Sequence, residues 1–147
     1  MNRVLSNITI RSVKKEDYNQ IINLFNSLSD EDKKYLALKS KISLIKQMIK
    51  KESHCYVACI GDKVIGFLRE SGRSNGFSLL EELVLDHHYR SLGIASLMLE
   101  YYHNNFNKNI AKTNAKNIKM ISLLKKYNYI PQNRDALRII NWQRLDN

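Results

Sequence analysis

Residues 79–102 read LLEELVLDHHYRSLGIASLMLEYY, and the rest of the chain is arranged around them. Residues 79–85 are largely apolar, with Glu81 and Glu82 in the middle, and suit a strand. Arg90, Ser91, Leu92, Gly93, Ile94 and Ala95 make a turn into a helix. Ile94, Leu97, Met98 and Tyr101 then recur at helical spacing and predict one apolar face. The N–H groups that open a helix have no partner inside it, and the macrodipole places partial positive charge there. A glycine and a small residue let a ligand approach the backbone. Arg90 adds a full charge, so the turn suits a phosphate or diphosphate.

Outward from this stretch the chain alternates between strand and helix signals. Residues 7–11 (NITIR) alternate and are rich in β-branched side chains, which predicts a first strand. Over residues 14–28, Tyr18, Ile21, Ile22 and Phe25 form a helical stripe, with Glu16 and Asp17 in the favourable first turn. Residues 29–51 are polar and lysine-rich and read as helical, with a break near Ser40. Residues 54–60 and 63–70 form a hairpin across Gly61-Asp62, and residues 78–85 add a third antiparallel strand. After the central helix come a short strand over 109–113 and a helix over 117–127. That helix has Met120, Ile121, Leu124 and Tyr127 on one face. Tyr129, Ile130 and Pro131 end it, and residues 136–145 form a closing strand. The order β-α-α-β-β-β-α-β-α-β predicts an α/β (α+β) sandwich: a mixed, largely antiparallel sheet flanked by helices.

The length, 147 residues, predicts one domain over 1–147. No apolar run approaches the roughly 18 residues that a membrane helix needs. The first residues lack the apolar core of a leader, so the expected location is cytoplasmic and no membrane partner is expected. Cys55 and Cys59 fall on one strand, where positions four apart lie roughly 13 Å from each other, beyond disulfide reach. They and His54 do not converge on a point, so core cysteines and no metal are expected. The net charge of +10 attracts an anionic partner, whether an anionic small molecule, nucleic acid or an acidic surface, or simply reflects a lysine-rich exterior. The lysines are dispersed and not interleaved with aromatics, which argues against a nucleic-acid surface.

Arg90-x-x-Gly93-x-Ala95 resembles the Arg/Gln-x-x-Gly-x-Gly/Ala segment that binds acyl-CoA in the GNAT N-acyltransferase superfamily. More narrowly, LEELVLDHHYRSLGIAS is similar to the LEDLxVxPxYRGxGIGS run of small-amine and polyamine acetyltransferases. A second match keeps its spacing: Asn117-x-x-Met120-x-x-Leu123-Leu124-x-x-x-Asn128-Tyr129 resembles the family's Asn-x-x-Ala-x-x-Leu-Tyr-x-x-x-Gly-Phe. The resemblance implies the GNAT fold, acetyl-CoA as cosubstrate and transfer of an acetyl group to a primary amine. The acceptor it implies is a small amine; alternatives are a protein N-terminus or lysine, or a GNAT fold that only binds CoA or another anion.

It also implies roles. Arg90, Ser91, Leu92, Gly93, Ile94, Ala95 and Ser96 would hold the cofactor, with Leu83, Val84 and Leu85 offering backbone to its thioester arm. Asn117 would contact the cofactor or cap the last helix. Glu81 would take the proton of the amine, with Glu82 on the opposite face of the strand. His87, His88 and Tyr127 are further candidates for proton transfer. Three residues depart from the family pattern. Ser91 stands in place of a glycine, Leu124 in place of the tyrosine general acid, and Asn128 in place of a glycine. A homodimer is compatible with the sequence.

Overall fold

The computed structural model describes residues 3–35, 54–73, 75–134 and 138–145. The elements are α1 (Arg3–Ser6), β1 (Ile8–Ser12), a 3-10 turn (Lys15–Asp17), α2 (Tyr18–Asn26), α3 (Asp30–Lys33), β2 (Cys55–Ile60), β3 (Lys63–Gly72) and β4 (Ser78–Leu85). A second 3-10 turn (His87–Tyr89) leads to α4 (Ile94–Asn105), β5 (Asn109–Asn114), α5 (Ile118–Lys126), β6 (Tyr129–Arg134) and β7 (Ile139–Arg144). The strands form one seven-stranded sheet in the order β1-β2-β3-β4-β5-β7-β6. Every pairing is antiparallel except β4 with β5. The fold class is the expected one, a mixed and largely antiparallel sheet flanked by helices.

The elements depart from expectation in places. Tyr129, Ile130 and Pro131 do more than end a helix: they open β6, which pairs with β7. Proline lacks a ladder donor and is tolerated there because β6 is the sheet edge. The predicted start of the closing strand at 136 lies outside the described residues, and β7 begins at Ile139. Of the predicted helical region over 29–51, residues 30–33 form α3 and 36–53 lie outside the described residues.

The sheet buries both faces. On one, Ile21, Leu24 and Phe25 of α2 pack on Val57, Phe67 and Val84, with the Phe25 and Phe67 rings edge to face at 5.5 Å. Asp17 ties α2 to β1: its carboxylate takes both Arg11 Nη1 and Nη2, at 2.7 and 2.8 Å, and the Lys14 N–H at 2.7 Å. The Arg11 guanidinium holds that carboxyl below its usual range. On the other face α4 buries Ile94, Met98, Leu99 and Tyr102, a stripe rotated from the predicted Ile94, Leu97, Met98 and Tyr101. Contact with the sheet decides the rotation. Met98 lies directly on Gly66, where a Cβ would fall 2.8 Å from its sulfur. Tyr102 Oη donates to the Ser78 carbonyl at 3.1 Å and sits 2.8 Å from Ser78 Oγ, which donates to Glu70 at 2.6 Å. His54 Nδ1 meets the other Glu70 oxygen at 2.6 Å, so this histidine serves the buried network. Cys55 and Cys59 are buried and form no disulfide, and burial pushes the Cys55 thiol up to about 12.

His103 of α4 is enclosed by Tyr102, Tyr127 and Tyr129, with Nε2 2.7 Å from Tyr129 Oη. Burial, with the Arg144 charge, pushes its pKa down from 6.5 to about 4. The unfolded chain therefore binds this proton first as the pH falls. The stabilising effect of the neutral ring is complete above 6.5 and is lost progressively toward pH 4. With screening at a half-buried ring, the loss is on the order of 1–2 kcal/mol. Denaturant melts between pH 7 and 4 are expected to show this slope in the wild type and a shallower one in His103→Gln.

Candidate active site

The site begins where two strands part. β4 and β5 pair at Ser78↔Asn109, Leu79↔Ile110 and Leu80↔Ala111, and the ladder ends there. β4 continues to Leu85 and β5 to Asn114, so the two diverge around a cleft of about 440 Å³. The β5-facing backbone groups of β4 beyond Leu80 open on this cleft. Glu81, Glu82, Leu83, Val84 and Leu85 line one wall. Lys112, Thr113 and Asn114 line the other, and Asn117, Met120 and Leu123 continue it.

A bulge shapes the first wall. In the β3–β4 ladder Arg69 pairs with Glu82 but Glu70 pairs with Leu80, leaving Glu81 as the extra residue. An extra residue breaks the strict alternation of faces. This corrects the expectation that Glu82 points away from Glu81. Arg69 Nη2 lies 3.6 Å from Glu81 Oε2 and 3.3 Å from Glu82 Oε1, so both carboxylates meet one guanidinium. Glu82 is buried. Glu81 is partly open; its Oε1 accepts from Ser71 Oγ at 2.8 Å and lies 4.0 Å from Arg73.

The turn at the other end is built from unusual backbone. Asp86 opens it by accepting from the His88 N–H at 2.9 Å. Ser91 has φ +63° and Gly93 φ +87°, both left-handed. Ser91 thus adopts the conformation that its glycine-like position demands, at a strain of roughly 1 kcal/mol. Gly93 stands at the N-cap of α4 with no side chain to satisfy the helix start. The first helical bond runs from Leu97 N to the Gly93 carbonyl at 3.1 Å. The N–H groups of Ile94, Ala95 and Ser96 precede it, and these residues line the cleft. Arg90 donates from Nε and Nη2 to the Leu85 carbonyl at 3.4 and 3.3 Å, and its Nη1 pairs with Asp32 at 2.8 Å.

The remaining candidates divide. Asn117 both lines the cleft and caps α5, accepting from Met120 N at 3.4 Å. Leu92 packs against the core and does not line the cleft. His87 and His88 are exposed, their rings 3.9 Å apart and tilted by 37°, and away from the cleft lining. Leu124 is wholly buried in the core, while its neighbour Leu123 reaches the cleft. Tyr127 Oη is engaged by α4, 3.3 Å from the Ser96 carbonyl and 3.0 Å from Glu100. Asn128 takes φ +67° after α5, as a left-handed cap residue should. Sequence reasoning missed Asp32, Tyr35, Lys112 and Lys119, which also line the cleft. No motif marks them.

Residues 17–129 match the acetyltransferase (GNAT) family, and the chain belongs to that family. Its fold is shared by solved structures of low sequence identity. The PaiA N-acetyltransferase of Thermoplasma acidophilum, solved with coenzyme A, superposes with a TM-score of 0.76 at 15% identity, over 93% of this chain and 98% of that one. Ard1 of Thermoplasma volcanium gives 0.75 at 17%, over 95% and 99%. The ribosomal-protein-S18-alanine N-acetyltransferase of Escherichia coli gives 0.71 at 12%, over 92% and 90%. The protein is thus an acetyl-CoA-dependent acyltransferase. Among the described residues no helix is long and apolar enough to cross a membrane.

The left-handed Gly93 and Ser91 should respond differently to substitution. In Gly93→Ala the added Cβ meets only the Leu5 methyl groups, at an ordinary 3.5 and 3.8 Å, so the cost is backbone strain. A loss of about 1–2 kcal/mol and a melting temperature several degrees lower are expected. In Ser91→Gly relief of strain and the greater freedom of the unfolded chain nearly cancel, so the melting temperature should move by no more than a degree or two. Thermal melts of the two variants beside the wild type check both.

Proposed function

We propose that this chain, as one catalytic domain over 1–147, transfers an acetyl group from acetyl-CoA to the primary amine of a small cationic molecule. The observation that carries this reading is the polarity of the cleft. One end offers helix-opening N–H groups with Arg90, and the bulged strand brings the carboxylates of Glu81 and Glu82 to the same cleft. The first suits a polyphosphate and the second an ammonium group. Two buried thiols kept out of any disulfide support a reducing, cytoplasmic setting.

The residues fit the cosubstrate. The donors at Gly93, Ile94, Ala95 and Ser96, with Arg90 and Ser91, hold the diphosphate, and Leu92 anchors the turn from the core. Asn117 borders the same arm. Leu83, Val84 and Leu85 present backbone to the acyl-bearing end, where one N–H serves the developing oxyanion. Acetyl-CoA supplies the activated acetyl group and a thiolate that leaves readily. Glu81 takes the ammonium proton, directly or through one water, so that the nitrogen lone pair becomes available. Ser71, Arg69 and Arg73 hold the Glu81 carboxylate in place for this. Leu124 supplies no acid, because its aliphatic side chain has no proton to give, and it lies in the core.

A protein N-terminus is the second reading, since the structural neighbours include an enzyme that acts on the alanine of a ribosomal protein. Acetyl-CoA turnover with polyamines, amino sugars, amino-acid amides and a set of N-terminal peptides separates the two. Release of CoA thiol is expected with a cationic small amine; turnover confined to peptides would replace the first reading by the second. On the substrate found, Glu81→Gln should lower kcat by about 10²- to 10⁴-fold while leaving CoA affinity within about twofold. Full activity in that variant would remove Glu81 from the mechanism.

A further inference from the structure

α3 and the turn that follows it, Lys34 and Tyr35, touch both walls of the cleft. Ser29 Oγ accepts from Asp32 N at 3.2 Å and fixes the first turn of this short helix. From that turn Asp32 Oδ2 reaches Arg90 Nη1 at 2.8 Å, on the β4–α4 side. Three residues on, Tyr35 Oη donates to the Lys116 carbonyl at 3.5 Å, on the β5–α5 side. Asp32 and Tyr35 both line the cleft between these contacts. The ion pair is substantially covered: the side chains of Arg90 and Asp32 are 29% and 30% exposed.

Among the described residues lining the cleft, the carboxylates are Glu81 and Glu82 on the bulge and Asp32 at the cationic turn. Arg90 already gives Nε and Nη2 to the Leu85 carbonyl, and its Nη1 goes to Asp32. A guanidinium prefers a planar, two-pronged oxyanion partner, and both a carboxylate and a diphosphate qualify. Two anions therefore compete for one cation, and either repels the other at this range.

We infer that α3 is an inhibitory strap, latched across the cleft by Asp32 on Arg90 and released when the diphosphate of an acyl-CoA takes Arg90 over. The inference rests on the reading of this cleft as the acyl-CoA site. In the latched state Asp32 neutralises the charge that would draw in the ligand, and α3 together with Tyr35 bridges the walls between which the ligand must lie. The measured affinity for CoA is then the intrinsic affinity reduced by the fraction of molecules unlatched. The strap screens the site against small anions that cannot offer enough contacts to displace Asp32.

Calorimetric titration with CoA of the wild type, Asp32→Asn and Glu31→Gln tests this. Glu31 lies on the same helix but pairs with Lys34 at 2.7 Å, so Glu31→Gln removes the same charge without touching the latch. Asp32→Asn is expected to bind CoA about three- to tenfold more tightly, and Glu31→Gln to stay within twofold of the wild type. Equal tightening in both variants would show a general field effect and overturn the strap. Weaker binding by Asp32→Asn would also overturn it, by making Asp32 a residue that positions Arg90 for the ligand. Wild-type binding with no change in Asp32→Asn overturns the strap alone. Absence of CoA binding in all three, with normal melts, overturns the acyl-CoA reading together with it.

Discussion

β4 and β5 hold each other for three residue pairs and then part, and the site depends on that separation. Each strand is committed elsewhere. β4 is paired along most of its length with β3, and β5 runs antiparallel to β7 over five pairs. The two halves of the sheet therefore follow different neighbours, and the parallel seam between them opens as the strands advance. The opening exposes backbone N–H and C=O groups that a closed sheet would consume, in a setting where such groups need partners. A ligand lying between the strands can supply them. The same seam sends the chain from the end of β4 through the Arg90 turn, so the start of α4 arrives at the cleft without any separate device.

Charge in this protein is local in its effect. The chain as a whole carries +10, yet within the cleft Arg90, Lys112 and Lys119 stand against Asp32, Glu81 and Glu82. Surface lysines farther away than the screening length of about 8 Å contribute little to this balance. What differentiates the ends of the cleft is which charges are held in place. Glu81 is fixed by Ser71 and Arg69, and Arg90 by the Leu85 carbonyl and Asp32. Fixed groups need not reorganise as charge develops during reaction, which is where preorganised sites gain over water.

Much of the fold was legible in local pattern. The hairpin at Gly61-Asp62, the stripe Ile21, Phe25 on α2 and the cap at Asn117 each depend on residues close in sequence. β6 was not legible, because Pro131 argues against a strand unless the strand is known to lie at an edge, and edge position is a property of the whole sheet. The α4 stripe was displaced for a related reason. Periodicity leaves a range of rotations open, and Gly66 on a neighbouring strand selects one by admitting Met98.

The sequence by itself determined the chemistry of the turn: a cation at Arg90, a glycine at Gly93 and a helix start behind them. These follow from side-chain charge and backbone access, which are properties of adjacent residues, whereas the left-handed backbone at Ser91, which serine does not favour, is imposed by the fold. Only the tertiary structure decided what those groups face. The bulge that puts Glu81 and Glu82 against one Arg69 arises from a mismatch of register between two strands. The contact of Asp32 with Arg90 joins two segments with no local relation. Register and packing are settled by the sum of many distant contacts, so no short stretch of the chain encodes them.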